Sequence, residues 1–527
     1  MTARQHTVVA TILAILGLYV MRLTSVEIQP SPEGLIAIDA SAVVQHGIAH
    51  VHSAPLVPWA SALGIFAFGH APLAMRWFAI LSGLVVCCTT YLLARRIVTF
   101  NSAVLAMVLV GTSLPLITFG RQATSEMPFL AFALLALWAS TRFPSSTTFR
   151  DTLLSMVLYA GGLAGALLCS PVPAMIVAVF GLVMVKVSKR RGLALTALAI
   201  GLVSAVPWLL LLPYDVARDF ALMDNGFARR GPLSILLMVA EASPLLVASL
   251  FWLVLALLKR GHRPDSSEHV TWILAGWLIL GLLVQIVDPY RSALTILYVV
   301  PPSAILALFA VESIKKMQRP GVLLGLYGAV IIASMWFVLS SVLHVTLSRY
   351  HLVLGMLGVV GLSTFAFISM RSTKRRMTAA IYLYTPVLYG AVGLAIVASL
   401  LVVLRGNPTA IAGGRAVAAA LDEDTLAVRS FVYLYHDGSS ADALNGQLDW
   451  YSRGWMTGGR DRYRYVPVEM PKQLIDEPLV EALRGASWIV YYHPSIATVE
   501  QVRVRTILGS QYSMHVESPM YTLYRNR

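Results

Sequence analysis

Charge is what this 527-residue chain has least of: Asp, Glu, Lys and Arg make up 13% of it, against roughly 25% in soluble domains. That scarcity excludes an ordinary water-soluble globule, and a hydrophobic share of 57% shows what stands in its place. Cysteine is nearly missing as well. Its three copies, Cys87, Cys88 and Cys169, all lie in apolar runs, which excludes a disulfide framework and gives no zinc-ligand spacing. No internal repeat stands out. The chain carries a net charge of +14, but this does not indicate a nucleic-acid partner: residues 405–527 hold about 13 basic and 13 acidic side chains, so the excess sits in the hydrophobic part and reports membrane topology.

Apolar runs of about 17–25 residues, each long enough to cross a bilayer, recur up to residue 404. The pattern predicts about thirteen spans: 8–24, 74–94, 102–119, 127–141, 152–168, 172–187, 192–212, 234–257, 270–287, 292–312, 321–343, 352–370 and 379–404. The first lacks a small-residue cleavage site after it and reads as a retained span. Alternate connections are basic, among them Arg95-Arg96, Lys189-Arg190-Arg191, Lys315-Lys316 and the run from Arg371 to Arg376. That side collects about 19 Lys and Arg against about 8 on the other, which places the N-terminus in the cytoplasm. An odd number of spans then puts everything after residue 404 outside. The apolar run 55–69 is short and holds Pro55 and Pro58. Counting it as a span would invert every later loop, so it reads as an interfacial or re-entrant helix in a long first outer loop, residues 25–73, which also contains the amphipathic stretch 35–44.

Composition changes after residue 404. Gly406-Asn407-Pro408 and Gly413-Gly414 make a linker, and β-like runs at 430–435, 488–492, 512–516 and 520–524 alternate with helix-like segments at 415–421 and 472–483. The expectation is a polytopic α-helical membrane domain over 1–404 and a small extracytoplasmic α/β domain over 405–527. The latter carries no phosphate loop, nucleophile elbow or metal cluster.

Polar groups gather on the outer side of the spans. The first outer loop opens with Ser31-Pro32-Glu33-Gly34 and continues to Asp39; two spans later come Arg121 and Glu126-Met127-Pro128. Asp219, Asp224, Arg229 and Arg230 follow in one loop, and Asp288, Arg291 and Tyr298 in another. Carboxylates can deprotonate a hydroxyl, and guanidinium groups can hold phosphate by paired, charge-assisted hydrogen bonds. Two acidic segments converging outside the bilayer suggest chemistry on a lipid-borne substrate; solvated loop acids are the plainer alternative for each residue alone. His46, His50 and His52 cluster in the first loop, but no helix or strand period puts all three on one face, and a wet loop explains them better than a metal pair.

In order and kind, these residues resemble the GT-C polyprenyl-phosphate-sugar glycosyltransferases, the protein O-mannosyltransferase and lipid A aminoarabinose transferase group. The likeness is carried by the acidic first loop, His46-Gly47, Ala54-Pro55-Leu56, Phe68-Gly69, a span ending at Arg95-Arg96, Arg121 before Glu126-Met127-Pro128, and Arg291 before Tyr298-Val299-Val300-Pro301. It implies Glu33 as the carboxylate on which catalysis depends, with Glu126 nearby and Asp39 as the substitute for the acid's role, and Arg121, Arg291 and Tyr298 as the donor-phosphate side, to which the outer loop adds Arg229. Pro32 stands where the group has its first acid, and Leu294 where it often has a late basic residue. The implied activity is inverting transfer of a sugar from an undecaprenyl- or dolichyl-phosphate donor to an acceptor hydroxyl, on protein, lipid A or another glycolipid, at the outer face of the plasma membrane. A divalent cation is the one candidate cofactor. The rivals are a flippase for a lipid-linked sugar, which would show ionisable residues within its spans and repeated halves, and an inactive scaffold of the same architecture, to which Pro32 points. Glu241 is the one convincing acid noted inside a span.

Overall fold

The computed structural model describes residues 2–21, 23, 33–48, 51, 53–69, 71–142, 148–187, 191–211, 249–250, 266–287 and 296–317, single residues in 328–334 and 390–400, residue 508, and five strands between 429 and 526. The expected spans 234–257, 321–343, 352–370 and 379–404 fall largely or wholly outside these, as do the helical segments expected at 415–421 and 472–483.

Twelve helices run through the described part of the hydrophobic region: α1 (Ala3–Val20), α2 (Glu33–His46), α3 (Leu56–Phe68), α4 (Pro72–Ala94), α5 (Phe100–Gly111), α6 (Leu114–Gly120), α7 (Glu126–Arg142), α8 (Phe149–Cys169), α9 (Pro171–Val187), α10 (Arg191–Leu211), α11 (Ser266–Val287) and α12 (Ile296–Met317). Among the described residues, four helices are long and apolar enough to cross a membrane, α1, α4, α8 and α10, or five if α5 and α6 make one span. Local chemistry starts them. Thr2 and Gln5 form a capping box on α1, the Thr2 N–H donating to Gln5 Oε1 at 2.7 Å. Thr148 accepts from the Asp151 N–H at 3.1 Å and opens α8. The stretch 55–69 is the short helix α3, closed by Gly69 at φ 68°, and α2 passes into Gly47 at φ 94°. Both glycines adopt the left-handed backbone that side chains resist.

The expected single span 102–119 is broken. Its halves α5 and α6 meet at 59° across Thr112 and Ser113. Pro115 sits in the first turn of α6, where its missing N–H costs nothing, and it disfavours helical backbone just before it. The Thr112 and Ser113 hydroxyls donate to the Val108 and Val110 carbonyls, satisfying α5 where its ladder ends.

Glycines let the helices approach. Gly162 on α8 faces backbone atoms of Phe132 and Ala136 on α7, while Gly83 on α4 lies against the Tyr19 ring of α1. Apolar side chains are no better off against protein than against lipid, so close backbone approach is what such packing gains. α12 is tied to the start of α5 by Glu312, which accepts from the Thr99 N–H at 3.1 Å and the Thr99 hydroxyl at 2.7 Å.

The C-terminal strands are β1 (Arg429–Tyr435), β2 (Tyr463–Glu469), β3 (Trp488–Tyr492), β4 (Tyr512–Glu517) and β5 (Tyr521–Asn526), in one mixed sheet of order β2-β1-β3-β5-β4. β1 pairs in parallel with β2 and β3, and β5 runs antiparallel between β3 and β4. Four of the five fall at the β-like runs of the sequence; β2 does not. It carries Pro467, which argues against a central strand, and it lies at the sheet edge, where a missing donor is tolerated.

Candidate active site

The two acidic segments do converge. Glu33 is the first residue of α2, and its carboxylate is fully buried. Arg76, one turn into α4 and equally buried, meets it as a fork: Nε donates to Oε1 at 2.9 Å and Nη2 to Oε2 at 2.8 Å. Oε1 also accepts the Ala123 backbone N–H at 2.7 Å, from the segment between α6 and α7. The remaining Arg76 arm, Nη1, donates to the Leu23 carbonyl beyond α1 at 3.1 Å. One carboxylate thus gathers α2, α4, the end of α1 and the segment 121–125. Desolvating two charges is costly and is repaid only by such complete hydrogen bonding, so removing one partner of a buried pair costs on the order of 3–5 kcal/mol.

Arg76 is not among the site residues that the sequence pattern suggests. A signal for it exists: a lone guanidinium inside an apolar run is expensive unless partnered, and so marks a site.

Arg121 closes α6, and its Nη2 donates to the Met21 carbonyl at 2.7 Å. It is half-buried, and its basicity is lowered by burial first and by the Arg76 guanidinium second. It remains a cation at neutral pH. Arg121 and Arg76 therefore reach the Met21 and Leu23 carbonyls at the same end of α1.

Asp39, two turns further along α2, is buried and has a different set of partners. Its Oδ2 accepts the Ser53 N–H at 3.0 Å and the Ser53 hydroxyl at 2.5 Å, fixing the first loop ahead of α3. Glu126 opens α7, where the helix dipole favours an anion, and is buried. Tyr298 on α12 and Cys169 at the end of α8 lie within electrostatic reach of it. The Tyr298 ring stacks obliquely on Phe129 with centroids 4.9 Å apart. Its carbonyl would pair with the N–H four residues on, but that residue is Pro302; the Trp277 indole of α11 donates instead, at 2.9 Å. His46 ends α2 and is exposed. Arg229, Arg291, His50 and His52 lie outside the described residues. Among the described residues no three His, Cys, Asp or Glu side chains converge on one point; for a divalent cation, Glu33 in particular is already committed to Arg76 and Ala123.

Known proteins agree with this architecture. Residues 52–211 match the family model of dolichyl-phosphate-mannose-protein mannosyltransferases. An uncharacterized protein of Aquifex aeolicus is 35% identical over 96 residues, 18% of this chain and 19% of that protein, so the chain aligns with about a fifth of that curated relative. The structure of ArnT from Cupriavidus metallidurans, solved in the apo state and bound to undecaprenyl phosphate, superposes over 100% of this chain and 99% of its own with a TM-score of 0.60 at 16% identity. The oligosaccharyltransferase AglB from Archaeoglobus fulgidus, solved with an inhibitory peptide and a dolichol-phosphate, covers 99% of this chain and 74% of its own at a TM-score of 0.53 and 11% identity. The chain is a membrane protein of the GT-C fold, with the mannosyltransferase sequence pattern over residues 52–211.

Proposed function

We propose that the protein is a glycosyltransferase that moves a sugar from a polyprenyl-phosphate donor to an acceptor hydroxyl at the outer face of the membrane. The observation that carries this reading is the hydrogen bond from the Ala123 N–H to Glu33, which joins the acidic first loop to the segment bearing Arg121 and Glu126. A soluble-loop origin for these acids would leave them solvated and apart; instead Glu33, Asp39 and Glu126 are all buried.

The chemistry divides among them. The acceptor oxygen bonds to the anomeric carbon as the bond to the phosphate oxygen breaks, with inversion, and the electron pair departs on the polyprenyl phosphate. That leaving group needs little protonation, so the demand is for a base to take the acceptor proton and cations to receive the phosphate. Glu33 has its lone pairs engaged by Arg76 and Ala123, which suits holding more than proton transfer. Asp39 is the proposed base, with Glu126 and Tyr298 beside the sugar, and Arg121, Arg229 and Arg291 on the phosphate.

The test is direct. Purified protein is incubated with a labelled polyprenyl-phosphate sugar and membrane extract, and the label is followed. Label appearing on protein or glycolipid supports transfer. Label that stays on the polyprenyl phosphate yet crosses a vesicle bilayer sinks the proposal in favour of a flippase.

A further inference from the structure

We infer that Arg76 is a positioning residue for sugar transfer: by clasping Glu33 it holds the segment 121–125 and so places Arg121 for the donor phosphate. The inference rests on the transfer reading above. Three features of the clasp point to it. Glu33 Oε1 is shared between Arg76 Nε and the Ala123 N–H, so the guanidinium that fixes the Glu33 carboxylate also keeps the acceptor of the Ala123 bond in place. Ala123 lies two residues after Arg121 and three before Glu126, so its amide sets both. Arg76 and Arg121 donate to the carbonyls of Leu23 and Met21, the same end of α1, so the two guanidiniums share one frame. Arg76 is paired with Glu33, so the pair and Arg121 together bring two guanidiniums and one carboxylate. The surplus positive charge is on the half-buried member, Arg121, while Arg76 is sealed away from any ligand.

Loss of Arg76 therefore acts at a distance. The Glu33 carboxylate is no longer held in place, the Ala123 N–H loses its fixed acceptor, and Arg121 loses its fixed backbone. Because Arg121 serves donor binding, the damage falls on the donor KM more than on kcat.

The experiment uses the full chain in nanodiscs and reads two quantities: amide hydrogen exchange over 121–125, and transfer kinetics with a labelled undecaprenyl-phosphate sugar. Arg76→Gln is expected to speed exchange in this segment by about tenfold or more while the α7–α8 core stays protected. It should also raise donor KM by roughly fivefold or more, with a smaller loss in kcat. Arg76→Lys, keeping the charge but not the fork, should fall between. The charge-neutral pair Glu33→Gln with Arg76→Gln is expected to bring both readouts back toward wild type, because neither partner is then left buried as a lone charge.

Unchanged exchange at 121–125 in Arg76→Gln would overturn the inference. So would a neutral pair whose exchange recovers but whose kcat stays as low as that of Glu33→Gln alone, which would put the Glu33 carboxylate in the chemistry. Exchange rising throughout the protein in the neutral pair would overturn it too, because the two residues would then hold the whole fold and not the segment. If wild-type protein transfers no sugar while Arg76→Gln still loosens 121–125, the clasp stands and the transfer reading falls.

Discussion

At the scale of single residues, the acids differ by what already occupies them. A guanidinium holds the Glu33 carboxylate, whereas Asp39 accepts from the neutral Ser53, and its proposed role as base makes a sharp expectation. Asp39→Asn keeps the shape and much of the hydrogen bonding to Ser53, yet should lower kcat by about 10²–10⁴-fold. Ser53→Ala removes the hydroxyl at 2.5 Å but spares the N–H contact, and should cost far less. Equal losses in the two variants, measured as kcat at saturating donor, would make Asp39 a loop anchor only. On the phosphate side, Arg121→Ala should raise donor KM by roughly tenfold, the worth of one charge-assisted contact. The positions of Glu33 and Asp39 in the first outer loop and of Glu126 at a span end were legible in the sequence because acids beside a membrane have few places to go. Their partners were not. Arg76 and Ser53 lie 43 and 14 residues from the acids they bind, and only tertiary packing brings such separations together.

At the scale of elements, apolar run length predicts where helices lie better than where they bend. Runs around α4, α7, α8 and α10 match their helices within a few residues at most ends, because each must satisfy its own backbone in lipid. The break between α5 and α6 escaped that logic: the run 102–119 has the length of one span, and the mark of the bend is Pro115 with two hydroxyl residues before it, a far weaker signal than hydropathy. β2 was hidden for the related reason that Pro467 usually argues against a strand. A close backbone contact between α7 and α8 yields a stability prediction. A methyl group on Gly162 would lie 2.8 Å from the Ala136 nitrogen and the Phe132 carbonyl oxygen, both backbone atoms that cannot swing aside. Gly162→Ala should therefore destabilise the protein by about 1–3 kcal/mol through overpacking, seen as a lower Tm in detergent. Gly161→Ala, next door with nothing within 4 Å, is the control and should leave Tm nearly unchanged.

For the whole molecule, sidedness decides whether donor and site can meet. The basic clusters predict the N-terminus and the start of α8 in the cytoplasm, and the sheet of β1–β5 outside. Thiol labelling from intact cells checks this, and the native cysteines interfere little: Cys87 and Cys169 are buried and Cys88 is half-buried. Phe149 at the start of α8 is 77% exposed and Met514 on β4 is 53% exposed, so a cysteine at either would be open to reagent on its own side. Met514→Cys should react with a membrane-impermeant maleimide in intact cells, and Phe149→Cys only after permeabilisation. The reverse pattern would place the start of α2, the end of α6 and the start of α7 on the cytoplasmic side together with Glu33, Arg121 and Glu126. A donor displayed outside could not then reach Arg121, because its polyprenyl phosphate headgroup would have to cross about 30 Å of hydrocarbon.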